Sequence, residues 1–146
     1  MTGEIQLQQK YKIKGKDFGN AGSVSTRIKD VLKEIGINSS TIRRVAIATY
    51  EAEMNVVMYA NQGTLTLILN PQLIEILIDD EGPGIEDINL AMQEGYSTAT
   101  EEMREMGFGA GMGLPNIKKN SDEFEISSIV NQGTKVKIII YLNKKE

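Results

Sequence analysis

A chain of 146 residues has room for one domain, and its 40% hydrophobic content supplies a core, so neither disorder nor a stapled mini-fold is required. It holds no cysteine and no histidine, which excludes disulfides, thiolate metal sites, the usual zinc ligands and phosphohistidine chemistry. The net charge of -4, from 16 basic and 20 acidic residues, gives no footprint for nucleic acid, and no apolar run approaches the ~18 residues of a membrane span. With Met1-Thr2-Gly3-Glu4 unlike a signal peptide, the expectation is a single domain over residues 1–146, cytoplasmic, with neither nucleic acid nor membrane as partner.

Ile5, Leu7, Tyr11 and Ile13 alternate with Gln and Lys, predicting an antiparallel strand with one wet face. The segment Gly19 to Gly22 breaks it. Val24, Ile28, Val31, Leu32 and Ile35 then recur at helical spacing, and Gly36 stops that helix. Ser39 or Ser40 reads as the N-cap of a second helix running to about Ala60. Asn61-Gln62-Gly63 reads as a turn. Leu65, Leu67 and Leu69 alternate, Asn70-Pro71-Gln72 turns the chain, and Ile74, Ile76 and Ile78 alternate again. A short helix is predicted from Glu86 to Gln93, a glycine-rich lid from Glu94 to Met112, and a helix from Leu114 to Lys119. Phe124 to Val130 and Lys135 to Leu142 predict a terminal hairpin across Asn131-Gln132-Gly133. The sum is an α+β chain: a two-layer α/β sandwich whose mixed, mostly antiparallel sheet carries helices on one face.

Four groups of residues carry chemistry. Glu51 and Asn55 stand four apart on a predicted helix and share a face, roughly opposite the stripe of Ile42, Val45, Thr49 and Val56. The carboxylate can orient an attacking oxygen, and the amide oxygen suits Mg2+ that already carries phosphates. Alone, the pair reads as a solvated contact. Asp79-Asp80-Glu81-Gly82-Pro83-Gly84 ends an aliphatic strand. A carboxylate there can accept from an exocyclic amine while Gly82 and Gly84 let the backbone approach a flat ring, although the same residues also make an ordinary polar turn. Gly107 to Gly113 precedes a helix, and seven of the chain's 14 glycines fall between Gly82 and Gly113. Amides so placed suit an anion, yet Gly-Lys-Ser/Thr is absent, so this is no Walker A loop. Gly133-Thr134 opens the last strand, where the Thr hydroxyl can support the ring-binding Asp. Alone it reads as a common hairpin element.

In order and spacing the four groups resemble the ATPase family shared by histidine kinases, DNA gyrase and the MutL repair protein, over about residues 40 to 140. The resemblance implies the Bergerat ATP-binding fold, with ATP and Mg2+ as cofactors. It implies Glu51 as the general base, Asn55 as the Mg2+ ligand and Asp80 as the adenine contact. Gly82, Gly84 and Thr134 would complete the base site, and Gly109, Gly111 and Gly113 would lie along the phosphates. Arg104 and Lys118 are within the same region, but no motif fixes a role for them.

Within that family the chain is similar to the small bacterial anti-sigma-factor kinases. Gly95-Tyr96-Ser97-Thr98 and the run from Gly107 to Ile117 resemble the stressosome switch kinases in particular. This implies a protein serine/threonine kinase of a stress-response partner-switching module, with a STAS-domain antagonist or scaffold as substrate and a phosphatase as a further partner. Two other readings stand beside it: an anti-sigma factor gripping a sigma subunit with ATP as a structural ligand, and a slow ATPase switch.

Overall fold

The computed structural model describes residues 6–96, 100–101 and 113–142. Strand β1 (Leu7–Lys14) is followed by a 3-10 turn at Phe18–Asn20, helix α1 (Ser23–Ile35) and helix α2 (Ser39–Tyr59). Then come β2 (Gln62–Leu69), β3 (Leu73–Glu81), the short α3 (Ile88–Ala91), α4 (Gly113–Lys119), β4 (Glu123–Ile129) and β5 (Gly133–Tyr141). The five strands form one sheet in the order β1-β2-β3-β5-β4, and every neighbouring pair is antiparallel.

Period-two patterning sets the sheet's inner face. Leu65, Leu67, Leu69, Ile74, Ile76, Ile78, Val136, Ile138 and Ile140 turn inward and pack with Ile28 and Leu32 of α1 and with Ile42, Val45, Ala48 and Val56 of α2. Burying each Ile or Leu side chain stabilises by roughly 1.5–3 kcal/mol, so this interface fixes α2 on the sheet. The stripe of Ile42, Val45, Thr49 and Val56 is buried, while Glu51 and Asn55 on the other side of the helix are half-buried. No described helix is long and apolar enough to cross a membrane.

Several element ends differ from the sequence pattern. Asn38, in extended geometry, caps α2 by accepting from the Thr41 amide at 2.9 Å, in place of Ser39 or Ser40. Gln62 and Gly63 belong to β2, pairing with Glu81 and Asp80, so the predicted turn contracts to Asn61. Asp79, Asp80 and Glu81 are correspondingly the end of a strand, because ladder pairing to β2 overrides their turn propensity. The helix predicted from Glu86 is only Ile88–Ala91, capped by Asp87. Ile5 and most of the predicted lid, residues 97–99 and 102–112, lie outside the described residues.

Candidate functional site

Asp80 sits on β3 opposite Gly63 of β2, one residue beyond the pair Asp79–Lys135 that joins β3 to β5. Its Oδ1 accepts the Thr134 backbone amide at 3.1 Å. The sequence assigned that support to the Thr134 hydroxyl. Instead the hydroxyl meets Ser128 Oγ at 2.9 Å, and Ser128 in turn accepts the Ile85 amide at 2.8 Å and lies 3.0 Å from the Gly133 carbonyl. Ser128 thus ties the β4–β5 hairpin to the loop after Gly84. Sequence reasoning missed it because an isolated Ser in a strand carries no local signal.

Three glycines explain why this corner stays open. A Cβ on Gly82 would stand 3.0 Å from the Ala60 Cα and 3.3 Å from Asp80 Oδ1. Gly84, at φ +75, lies so close to the hairpin that a Cβ would come within 2.5 Å of the Ile129 carbonyl oxygen. At Gly133 a Cβ would fall 1.9 Å from the Asp80 carbonyl oxygen. Close backbone approach, rather than flexibility, therefore accounts for these residues. Burial pushes the Asp80 carboxyl above the usual carboxylate range; the Thr134 amide bond pulls it back and the neighbouring Asp79 charge adds to the rise.

The second part of the site is on α2. Asn116 of α4 donates from Nδ2 to Glu51 Oε2 at 3.2 Å. Gly113, the first residue of α4, faces the same helix: a Cβ there would stand 3.3 Å from Asn55 Oδ1 and 3.7 Å from Glu51 Oε1. The glycine leaves a carboxylate and an amide oxygen bordering one shared space. The next residue of α2, Val56, packs over Gly63 at the strand pair that carries Asp80, and Ala60 packs on Gly82. One helix thus carries Glu51 and Asn55 at one level and covers the Asp80 corner at the next.

Among the described residues no cluster of three or more acidic side chains can hold a metal by itself. Asn55 Oδ1 beside the Gly113 gap instead suits Mg2+ delivered by a nucleotide, which keeps most of its ligands on phosphate and water. Gly109, Gly111 and Arg104 lie outside the described residues. Lys118 is exposed in the last turn of α4. A surface concavity of about 310 Å³ between α1 and α2 is lined by Thr26, Lys29, Ile47, Tyr50 and Glu51.

Glu53 was not singled out in the sequence. It lies two residues after Glu51, turned inward and only 2% exposed. Its carboxylate accepts the amides of Gly22, Val24 and Ser25 at 3.1, 3.2 and 3.0 Å, capping α1 from α2. The one available signal was Gly22 standing before a helix whose own first turn contains no acid.

Residues 17–140 match the family model described as "Histidine kinase-like ATPase domain". The serine/threonine-protein kinase RsbT of Bacillus subtilis is 31% identical over 118 residues, covering 78% of this chain and 83% of that protein. The anti-sigma F factor of Caldanaerobacter subterraneus is 32% identical over 108 residues, covering 70% of this chain and 72% of that protein. Among solved structures, a chain of the SiaB–SiaC complex from Pseudomonas aeruginosa shares the fold with a TM-score of 0.60 at 14% identity, covering 93% of this chain and 89% of that one.

Proposed function

We propose that this chain, which belongs to the family of histidine kinase-like ATPase domains, is an ATP-dependent protein serine/threonine kinase of a bacterial partner-switching module. The observation that carries the reading is Glu51: a half-exposed carboxylate, held by Asn116 and set beside Asn55 across the space that Gly113 leaves open. A module that only gripped a partner would not need a base there. The similarity to the RsbT kinase supports the same class of reaction. The family resemblance supplies the acceptor, a Ser or Thr on a STAS-domain protein, a phosphatase as a later partner, and the cytoplasm as the setting.

ATP would supply the γ-phosphoryl group, and Mg2+ held with the nucleotide would supply charge neutralisation for the transfer. Asp80 would accept the adenine amine, with Gly82, Gly84 and Thr134 shaping the base site and Gly109, Gly111 and Gly113 lying along the phosphates. Asn55 would lend its oxygen to the ion. Glu51 would take the proton of the acceptor hydroxyl as that oxygen bonds to the γ-phosphorus and the bond to the β-bridging oxygen breaks, releasing ADP.

A second reading is favoured by the anti-sigma F factor similarity: the chain holds a sigma subunit and ATP serves as a structural ligand. Incubating the protein with γ-labelled ATP, Mg2+ and STAS-domain proteins, with sigma-factor capture run in parallel, separates the two. The kinase reading expects label on a Ser or Thr of a STAS protein. Tight sigma-factor capture without any label transfer would replace it with the anti-sigma reading.

A further inference from the structure

At one end of the sheet the helix-covered face changes character. Its last aliphatic row crosses four strands as Leu65, Ile78, Val136 and Ile126. The next row on the same face is Gly63, Asp80, Thr134 and Ser128. Asp80, Thr134 and Ser128 are all half-buried, so their polar atoms need partners from the protein or from whatever fills the corner.

A proton count decides what this row can offer. A serine or threonine hydroxyl has one proton to donate and two lone pairs. The Ile85 amide, 2.8 Å from Ser128 Oγ, can only donate and takes a lone pair. The Gly133 carbonyl, at 3.0 Å, can only accept and takes the Ser128 proton. The 2.9 Å contact between Ser128 and Thr134 must then run from the Thr134 hydroxyl to Ser128 Oγ. That uses the one proton of Thr134, whose hydroxyl has no other side-chain partner among the described residues and keeps lone pairs alone. Asp80, with Oδ1 on the Thr134 amide, likewise presents only acceptor oxygen as a carboxylate.

We propose that Ser128 is a positioning residue for base recognition. By drawing the Thr134 proton to itself, it makes the Asp80–Thr134 row accept hydrogen bonds and donate none. The row then selects a base edge that carries an exocyclic amine over one that carries a carbonyl. This rests on the reading of the corner as the adenine site. Adenine meets such a row with an amine, whereas hypoxanthine brings a carbonyl oxygen that would face acceptors and stay unpaired. Ser128 acts through Thr134 and touches no nucleotide itself. Without it the Thr134 hydroxyl can rotate and turn its proton to the base, which removes part of the penalty against a carbonyl.

The test is calorimetric binding of ATP and of inosine triphosphate, each with Mg2+, to wild type, Ser128→Ala, Ser128→Cys and Ser128→Thr, with thermal melting to confirm that each is folded. The two nucleotides differ only on the base edge in question. Wild type should favour ATP. Ser128→Ala also leaves the Ile85 amide without its acceptor, but that loosening weakens both nucleotides alike and cancels in the ratio of their affinities. The ATP preference should fall roughly tenfold in Ser128→Ala. It should fall by less in Ser128→Cys, whose thiol is a weak acceptor, and hold in Ser128→Thr, which keeps a hydroxyl. Should Ser128→Ala fail to fold, Ser128→Cys carries the test. A wild type that prefers ATP, with that preference unchanged in the folded Ala or Cys variant, would overturn this proposal and leave the adenine reading standing. Loss of the preference in Ser128→Thr would do the same. A wild type that binds neither nucleotide, or both equally, would overturn the adenine reading itself and this proposal with it.

Discussion

The two halves of the candidate site are built in different ways. The Asp80 corner is made of backbone: a strand pair, an amide from Thr134 and three glycines against which other chain segments press. The Glu51–Asn55 half is made of side chains on a helix face, held by one bond to Asn116 and by the docking of α2. A backbone-built corner is a rigid mould suited to a flat ring. A side-chain pair beside an open gap suits a step in which a proton and a metal ligand must adjust. The division predicts that loss of Asp80 alters nucleotide affinity and loss of Glu51 alters rate, with Asn55 changing only the metal-dependent part of binding.

The largest effect should come from Glu51. Glu51→Gln should lower phosphotransfer by roughly 10²–10⁴ while leaving ATP affinity within error, since the carboxylate is assigned to the acceptor proton alone. Initial-rate assays with calorimetric ATP titration on the same samples would show it. A matching loss of ATP affinity would erase the distinction between the halves.

Next comes the support beneath the helix half. Glu53→Ala would leave three amides at the start of α1 without their acceptor and should cost about 2–4 kcal/mol in chemical denaturation, with the Asp80 corner keeping its residual nucleotide affinity in the folded fraction. A loss under about 0.5 kcal/mol would mean that ordinary surface rules apply and that Glu53 does not hold α2 in place.

Asp80→Asn should weaken ATP binding by roughly tenfold to a hundredfold, because an amide can present a donor to the adenine amine. The apo fold should not suffer. Asp80 has a carboxyl pKa raised by burial, so its contribution to stability is fully present below the unfolded Asp pKa and is lost as pH rises through the higher folded value. At neutral pH the buried charge is therefore a cost, and asparagine still offers an oxygen to the Thr134 amide. Thermal melting should accordingly give an unchanged or higher Tm at neutral pH for the variant without nucleotide, with the difference shrinking toward acid. A lower Tm would mean that Asp80 is kept for the fold.

The smallest effect expected is at Asn55. Asn55→Ala removes one neutral oxygen from Mg2+ while the phosphates keep theirs, so the Mg2+-dependent increment in ATP affinity should shrink by about 0.5–1.5 kcal/mol while metal-free ADP binding holds. Equal losses with and without metal would make Asn55 structural.

How far the sequence carried these assignments differs between the halves. The alternation in β2 and β3, the αL glycine ending α1 and the spacing of Glu51 to Asn55 were all legible, because each follows from a local period or cap. What was not legible depends on distant contacts. Glu53 reads as one more acid beside Glu51 until α1 docks and presents its amides. Ser128 gains its role only when β4 and β5 pair and Gly84 folds against them. The Asp80 support moved from a hydroxyl to an amide because the strand register, which local propensity cannot fix, decides which Thr134 group faces the carboxylate.

The most direct test follows single-turnover phosphotransfer to a STAS-domain acceptor across ATP concentration for wild type, Asp80→Asn and Glu51→Gln. The account predicts that Asp80→Asn reaches the wild-type plateau at higher ATP, whereas Glu51→Gln half-saturates at the wild-type ATP concentration and plateaus far lower. A depressed plateau for Asp80→Asn, or a Glu51→Gln curve that is only shifted along the ATP axis, would contradict it.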